Sequence, residues 1–238
     1  AVAANKEDWH EILKKMMAKE YRKACAMGQD PKFTNAAEMG EFYEHGILIL
    51  DYVLSKRGEY FQKKNHELIG VEVPLLVPMN VNENVKFRGY IDLIIKDTRD
   101  NTYKIIDIKT STMGWNKYQK ADSTKTAQLV LYKSYYAKQF NVPLENIRVE
   151  YFIVKRMLYE NMDFPQKRVQ IFNPAAGKPT MNKINGSVDE FVRSAFNTDG
   201  SHNTERDYIA VKGKNNKNCK YCDFKNKPEL CPSKERIV

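Results

Sequence analysis

Apolar residues recur at helical spacing early in the chain and at strand spacing later. Over residues 6–27, Trp9, Ile12, Leu13, Met16, Met17 and Tyr21 fall three or four positions apart, which predicts a helix. Gly28, Asp30 and Pro31 break it. A second helix is predicted from Ala36 to Lys56, capped by Asn35, with Gly58 beyond its end.

The middle of the chain turns to strands. Glu67 to Val77 is the first, and Pro74 implies an edge position or a bulge. Val85 to Ile95 and Tyr103 to Lys109 follow, separated by the polar turn Lys96-Asp97-Thr98-Arg99-Asp100-Asn101-Thr102. Ser123 to Phe140 predicts a helix, Ile147 to Val154 and Arg168 to Phe172 two more strands, and Ser187 to Phe196 a last helix before a polar tail. Helices around a central mixed sheet make an α/β or α+β fold. The expected organisation is one domain over 1–238, with N-terminal helices in 1–60, a core in 65–175 and a cysteine-bearing extension in 200–238.

The 238 residues suffice for one sizeable core. No apolar run is long enough for a membrane, since Gly46 to Leu54 is short and broken by Asp51. The N-terminus lacks the apolar stretch of a signal peptide, and the missing initiator Met suggests trimming. A cytoplasmic protein, or an intracellular one in a phage-infected host, is the expectation. The net charge of +9 suits a polyanionic partner such as nucleic acid. Lys212, Lys214, Lys217, Lys220, Lys225 and Lys227 concentrate charge near the end, as a binding element or as a solvated tail.

The chemistry concentrates in the hairpin. Side chains alternate along a strand, so Ile91, Leu93 and Ile95 are expected on one face, with Tyr90, Asp92 and Ile94 on the other. Ile105, Asp107 and Lys109 share a face of the next strand. A turn centred between Arg99 and Asp100 sets Asp92 across from Asp107, with Cβ atoms about 4.5–5.5 Å apart. Two such carboxylates repel unless a cation lies between them. Hard oxygen ligands suit Mg²⁺ or Mn²⁺, with the Ile108 carbonyl as a further ligand. Lys109 is then placed to orient a water or to stabilise charge on phosphate. The competing reading is a cross-strand ion pair between Lys109 and either Asp.

Gly89-Tyr90-Ile91-Asp92, then Ile106-Asp107-Ile108-Lys109-Thr110-Ser111, then Gln128 and Tyr132, resemble the PD-(D/E)XK nuclease superfamily, and more narrowly its RecB-type branch. The resemblance implies a restriction-endonuclease-like core. It makes Asp92 and Asp107 metal ligands, Lys109 catalytic, and Gln128 and Tyr132 helpers that position substrate from one helix face. The family also has an early helix in which a His four residues after a Gly adds a metal ligand. Met39-Gly40-Glu41-Phe42-Tyr43-Glu44-His45 is similar, but His45 is five residues after Gly40 and Glu44 stands in the expected place. Either residue is a candidate.

The chain has four cysteines: Cys25, Cys219, Cys222 and Cys231. One before the core and three after it resembles the RecB-type nucleases with an iron–sulfur cluster, such as AddB and the CRISPR-associated exonucleases. That implies a 4Fe-4S cluster stapling the two ends together, and Zn²⁺ suits the same thiolates. Trp115, Lys117, Tyr118, Lys120 and Lys125 follow the Asp107 strand, as a single-strand channel or as a loop with Trp115 packed on the core.

The function implied is a Mg²⁺- or Mn²⁺-dependent deoxyribonuclease, an exonuclease on single-stranded DNA or DNA ends in recombination, repair or phage DNA processing. An endonuclease on the same fold, or a non-cleaving DNA-binding module with a structural metal–thiolate site, are the alternatives.

Overall fold

Asn35, itself in an extended conformation, starts a helix by satisfying orphan amides in both directions. Its Oδ1 accepts from Glu38 N at 3.0 Å, and Glu38 Oε2 accepts from Asn35 N at 3.1 Å. In this computed structural model, residues 6–27, 34–206, 213, 218–220, 222–227 and 229–231 are described. The capped helix is α2 (Ala36–Ser55), preceded by α1 (Lys6–Ala26). The two pack where Gly46 admits the Leu13 methyls, and His10 Nε2 meets Asp51 Oδ1 at 3.2 Å. The expected break at Gly28, Asp30 and Pro31 lies outside the described residues. Gly58 falls inside a further short helix, α3 (Arg57–Tyr60).

Five strands follow the predicted order: β1 (His66–Pro78), β2 (Lys86–Asp97), β3 (Thr102–Ser111), β4 (Ile147–Lys155) and β5 (Val169–Phe172). They form one mixed sheet, β1-β2-β3-β4-β5, with only the β3–β4 pair parallel. Pro74 lies on an edge strand, where its missing amide costs no ladder bond, and the irregularity of β1 falls at Leu68/Gly70 instead. The parallel crossover carries α4 (Lys117–Ala121) and α5 (Ser123–Phe140), so the loop expected after β3 is partly helical. Asn116 caps α4, accepting from Tyr118 N and Gln119 N. The last helix, α6 (Lys178–Ala195), starts well before Ser187. Gly177 and a Pro in its first turn set that start, while its polar first half hides the helical period. Among the described residues, no helix is long and apolar enough to cross a membrane.

Each face of the sheet has its own core. Leu129, Tyr132, Tyr135 and Tyr136 of α5, with Val192 of α6, pack on Leu75, Val77, Ile91, Ile94, Ile105, Val149, Tyr151 and Ile153. On the other face, Ile49, Tyr52 and Val53 of α2 and Tyr60 of α3 meet Ile106, Phe152, Val154 and Val169.

One expected face is corrected. Ile91 joins Ile94 on the α5 side, while Leu93 and Ile95 point to α2. Strict alternation puts Ile91 with Leu93, so β2 slips by one residue at Asp92. The register with β1 is kept across this point. Glu72, bracketed by the pairs Val71–Leu93 and Val73–Ile91, takes a left-handed φ of 51°.

Burial raises the Tyr135 and Tyr136 phenols from an ordinary value of 10.0 to about 12. Between these values the unfolded chain releases protons that the folded chain keeps, so stability falls as pH rises through that window. Tyr136→Phe is expected to flatten the loss of stability between about pH 9 and 12, measured as denaturant midpoints. An unchanged slope contradicts the burial of this hydroxyl.

Candidate functional site

β2 and β3 pair from Asp97/Thr102 as far as Leu93/Ile106, and the ladder then stops. The next position in that register is Asp92 across from Asp107, as the turn geometry predicts. The strands part there, and a side chain takes over from the backbone. Asp92 Oδ2 accepts the Ile108 amide at 2.6 Å. The Asp92 slip therefore has a consequence: a carboxylate fixed between two diverging strands.

Asp107 is 1% exposed. Its register partner on β4 is Tyr151, also fully buried. Lys109, two residues along the same face, brings Nζ to 2.7 Å from Asp107 Oδ2. That contact is an ion pair, and no other group reaches Oδ2 as a hydrogen-bond partner. Burial pushes the Asp107 carboxyl up, Lys109 opposes it, and the Asp92 charge adds to the rise. Lys109 alone therefore does not neutralise the pair. The ion pair of Lys109 runs along β3 to Asp107 and does not cross to β2, and the Asp92 carboxylate adjoins it. A buried carboxylate oxygen met by Lys109 alone, beside a second carboxylate, fits a divalent cation with hard oxygen ligands.

α5 closes one side. Gln128 Nε2 donates to Tyr132 OH at 3.0 Å, so the two share one helix face as their spacing predicts. Leu129 points inward, and Gln128 is half-buried instead of solvated. Tyr132 in turn explains Gly89. A Cβ at Gly89 would lie 2.9 Å from Tyr132 Cε1, so the helix packs onto β2 only over a glycine. Lys109, Thr110, Trp115, Lys125, Gln128 and Tyr151 line a pocket of about 300 Å³. A polar cavity at the far end of the sheet holds His66, Asp97 and Arg99, with Arg99 2.6 Å from Asp97.

Lys125 and Tyr151 escaped the sequence reading as a pair. The Tyr151 hydroxyl donates to the Lys125 carbonyl and ties β4 to the start of α5. The signal was a single hydroxyl at the head of the apolar run Tyr151 to Val154. Trp115 is 8% exposed and packs 4.9 Å from the Tyr151 ring, so it is a wall of the pocket and no platform for a base. Gln170 clamps it, accepting from Trp115 N at 2.7 Å and donating to Trp115 O at 3.1 Å. Tyr118, on α4, is 74% exposed.

Other expected site residues lie apart. His45 and Glu44 sit on α2, whose Ile49, Tyr52 and Val53 cover the sheet face opposite to Asp107. His45 Nδ1 faces Glu41 Oε1 at 3.9 Å. Cys25 ends α1 beside Tyr21. Cys219 and Cys222 share a turn closed by Cys222 N donating to Cys219 O at 3.1 Å, and Cys231 N donates to Lys227 O at 2.9 Å. Among the described residues, no three of His, Cys, Asp or Glu gather as a metal site. All four cysteines are free thiols. Short local turns hold Cys219 to Cys231, and Cys25 belongs to a helix packed on α2.

No curated protein matches the chain. Among solved structures, the crystal structure of SSO0001 is similar at 16% identity, covering 94% of this chain and 82% of that one, with a TM-score of 0.41. The profile of the PD-(D/E)XK nuclease superfamily matches residues 3–231. With nearly the whole sequence matched, the chain belongs to the PD-(D/E)XK nuclease superfamily.

Proposed function

We propose that the protein is a Mg²⁺- or Mn²⁺-dependent deoxyribonuclease of the RecB-type branch. It hydrolyses phosphodiester bonds as an exonuclease on single-stranded DNA or DNA ends, in recombination, repair or phage DNA processing. Residues 1–238 act as one nuclease domain in this reading, in the cytoplasm with its substrate. The observation that carries it is the buried Asp107 carboxylate, held beside Asp92 and incompletely neutralised by Lys109.

Asp92 and Asp107, with the Ile108 carbonyl, would hold the cation. When bound, it lowers the pKa of a water and draws charge from phosphate oxygens. Lys109, 34% exposed at its side chain, donates to a phosphate oxygen or holds the attacking water. Gln128, fixed by Tyr132, offers its amide to the substrate at the pocket rim. Lys125 adds positive charge on the same rim.

The test is cleavage of end-labelled single-stranded DNA with Mg²⁺ or Mn²⁺. Wild type is expected to cut, and Lys109→Ala to lose at least about a hundredfold in rate. A circular single strand that resists cutting supports the exonuclease, and cleavage of the circle establishes the endonuclease instead. Wild type that cuts neither linear, duplex nor circular DNA refutes the nuclease reading.

Asp107→Asn separates chemistry from stability. Burial dominates the cost of the Asp107 charge, so a neutral isostere is expected to raise the melting temperature in EDTA while abolishing cleavage. A lower melting temperature contradicts the electrostatic account.

The four cysteines are proposed to bind a 4Fe-4S cluster, with Zn²⁺ as the alternative. The support is the inventory: four free thiols, two of them in one Cys-x-x-Cys turn. Ligation requires the thiols to come together from their positions here. Protein purified without oxygen is expected to be brown and to contain iron. Colourless protein with bound zinc overturns the cluster and leaves the nuclease intact.

A further inference from the structure

The parallel pair at the centre of the sheet carries a second cationic position beyond Lys109. β3 and β4 run in register, with Lys109 beside Ile153 and Ser111 beside Lys155. Side chains alternate, so Lys155 points to the same face as Lys109, one pleat further along. β4 pairs with β5 through Ile153–Gln170 and Val154–Val169. The next step sets Arg168 across from Lys155, and the Lys155 amide donates to Arg168 O at 2.8 Å.

Two like charges opposite each other on a sheet repel. Several other cations have a carboxylate close by: Lys109 with Asp107, Arg99 with Asp97, Lys104 with Glu150, Lys167 with Glu59. Among the described residues, neither Lys155 nor Arg168 has one. Both are half-buried. Burial, and then the Arg168 charge, pulls the Lys155 ammonium down, and burial lowers Arg168.

The pair is also held in place. Arg168 Nη1 donates to Arg156 O at 2.8 Å and Lys155 O at 3.4 Å, which caps the end of β4. The Lys155 stem lies against Gly114, where a Cβ would come 3.0 Å from Lys155 Cδ. Gly114 has a left-handed φ of 92°, and Ser111 Oγ lies 3.0 Å from both its N and its O. The Ser111–Gly114 turn therefore presses on the aliphatic stem, while the Lys155 ammonium makes no hydrogen bond or ion pair within the described residues.

We propose that Lys155, backed by Arg168, binds the phosphate adjoining the scissile one on the DNA strand. This rests on the nuclease reading of the Asp92–Asp107–Lys109 site. An oxyanion there relieves the repulsion between the two cations, and it makes the site read at least two consecutive phosphates.

The test compares wild type, Lys155→Ala and Lys155→Arg as full chains. Binding of a fluorescent single-stranded oligonucleotide is measured in EDTA across a salt series. Lys155→Ala is expected to bind about tenfold more weakly, with the slope of log Kd against log salt reduced by about 0.7. Lys155→Arg restores both. With Mg²⁺, the loss in Lys155→Ala falls on KM and spares kcat. A scan of single methylphosphonate linkages then places the contact. One neutral linkage beside the scissile bond is expected to weaken wild-type binding and to cost Lys155→Ala nothing further.

Wild type that binds and cuts while Lys155→Ala matches it in affinity and salt slope overturns the subsite alone. A methylphosphonate penalty of equal size in both proteins does the same. Wild type that neither binds nor cuts DNA overturns the nuclease reading and the subsite with it. Circular dichroism and melting temperature check the fold, and removing one of two facing cations is expected not to lower the latter.

Discussion

Asp107 holds a carboxylate where water scarcely reaches, and the rest of the site is arranged around that cost. Burial of the charge is the largest influence on this group, and a single lysine at 2.7 Å offsets it only in part. The second carboxylate, Asp92, makes the imbalance worse. A sheet shaped only for stability would place an apolar residue at Asp107, as it does at Ile105 and Ile106 on either side of the pleat. The position is a standing electrostatic debt that a divalent cation would settle.

The surrounding fold makes this arrangement possible. The β2–β3 ladder ends one pair short of the two acids, so both carboxylates lie at a divergence of strands. Parallel pairing of β3 with β4 carries Asp107 and Lys109 into the middle of the sheet, where Tyr151 backs them. α5 returns over the same face, and Gly89 allows Tyr132 close enough to set Gln128 at the pocket. The opposite face serves packing, through α2 and the Ile106–Phe152 cluster.

Much of this was legible in the sequence. Strand period and turn chemistry located all five strands, and the register of the hairpin followed from its turn. The capping box at Asn35 and the whole of α5 were also readable. The slip at Asp92 was not, because alternation assumes an unbroken pleat and the left-handed Glu72 that accompanies the slip carries no glycine to mark it. The first half of α6 was hidden by its polar composition. Trp115 was ambiguous because burial of an aromatic after a strand depends on a distant partner, here Gln170 on β5. Lys155 and Arg168 come opposite each other only through the β4–β5 pairing, which no local pattern in the sequence marks. The cysteines and His45 entered as ligands through the family resemblance, which carries no information on which sheet face a helix covers.

The central claim is that Asp92 and Asp107 together form a divalent-cation site. Calorimetric titration of Mn²⁺ into the metal-free protein addresses it without requiring DNA or turnover. The account predicts binding by wild type that is lost in Asp92→Asn and in Asp107→Asn, with both variants folded. Binding of equal affinity and stoichiometry in those variants would contradict it, and would place the metal away from the carboxylates at the parting of β2 and β3.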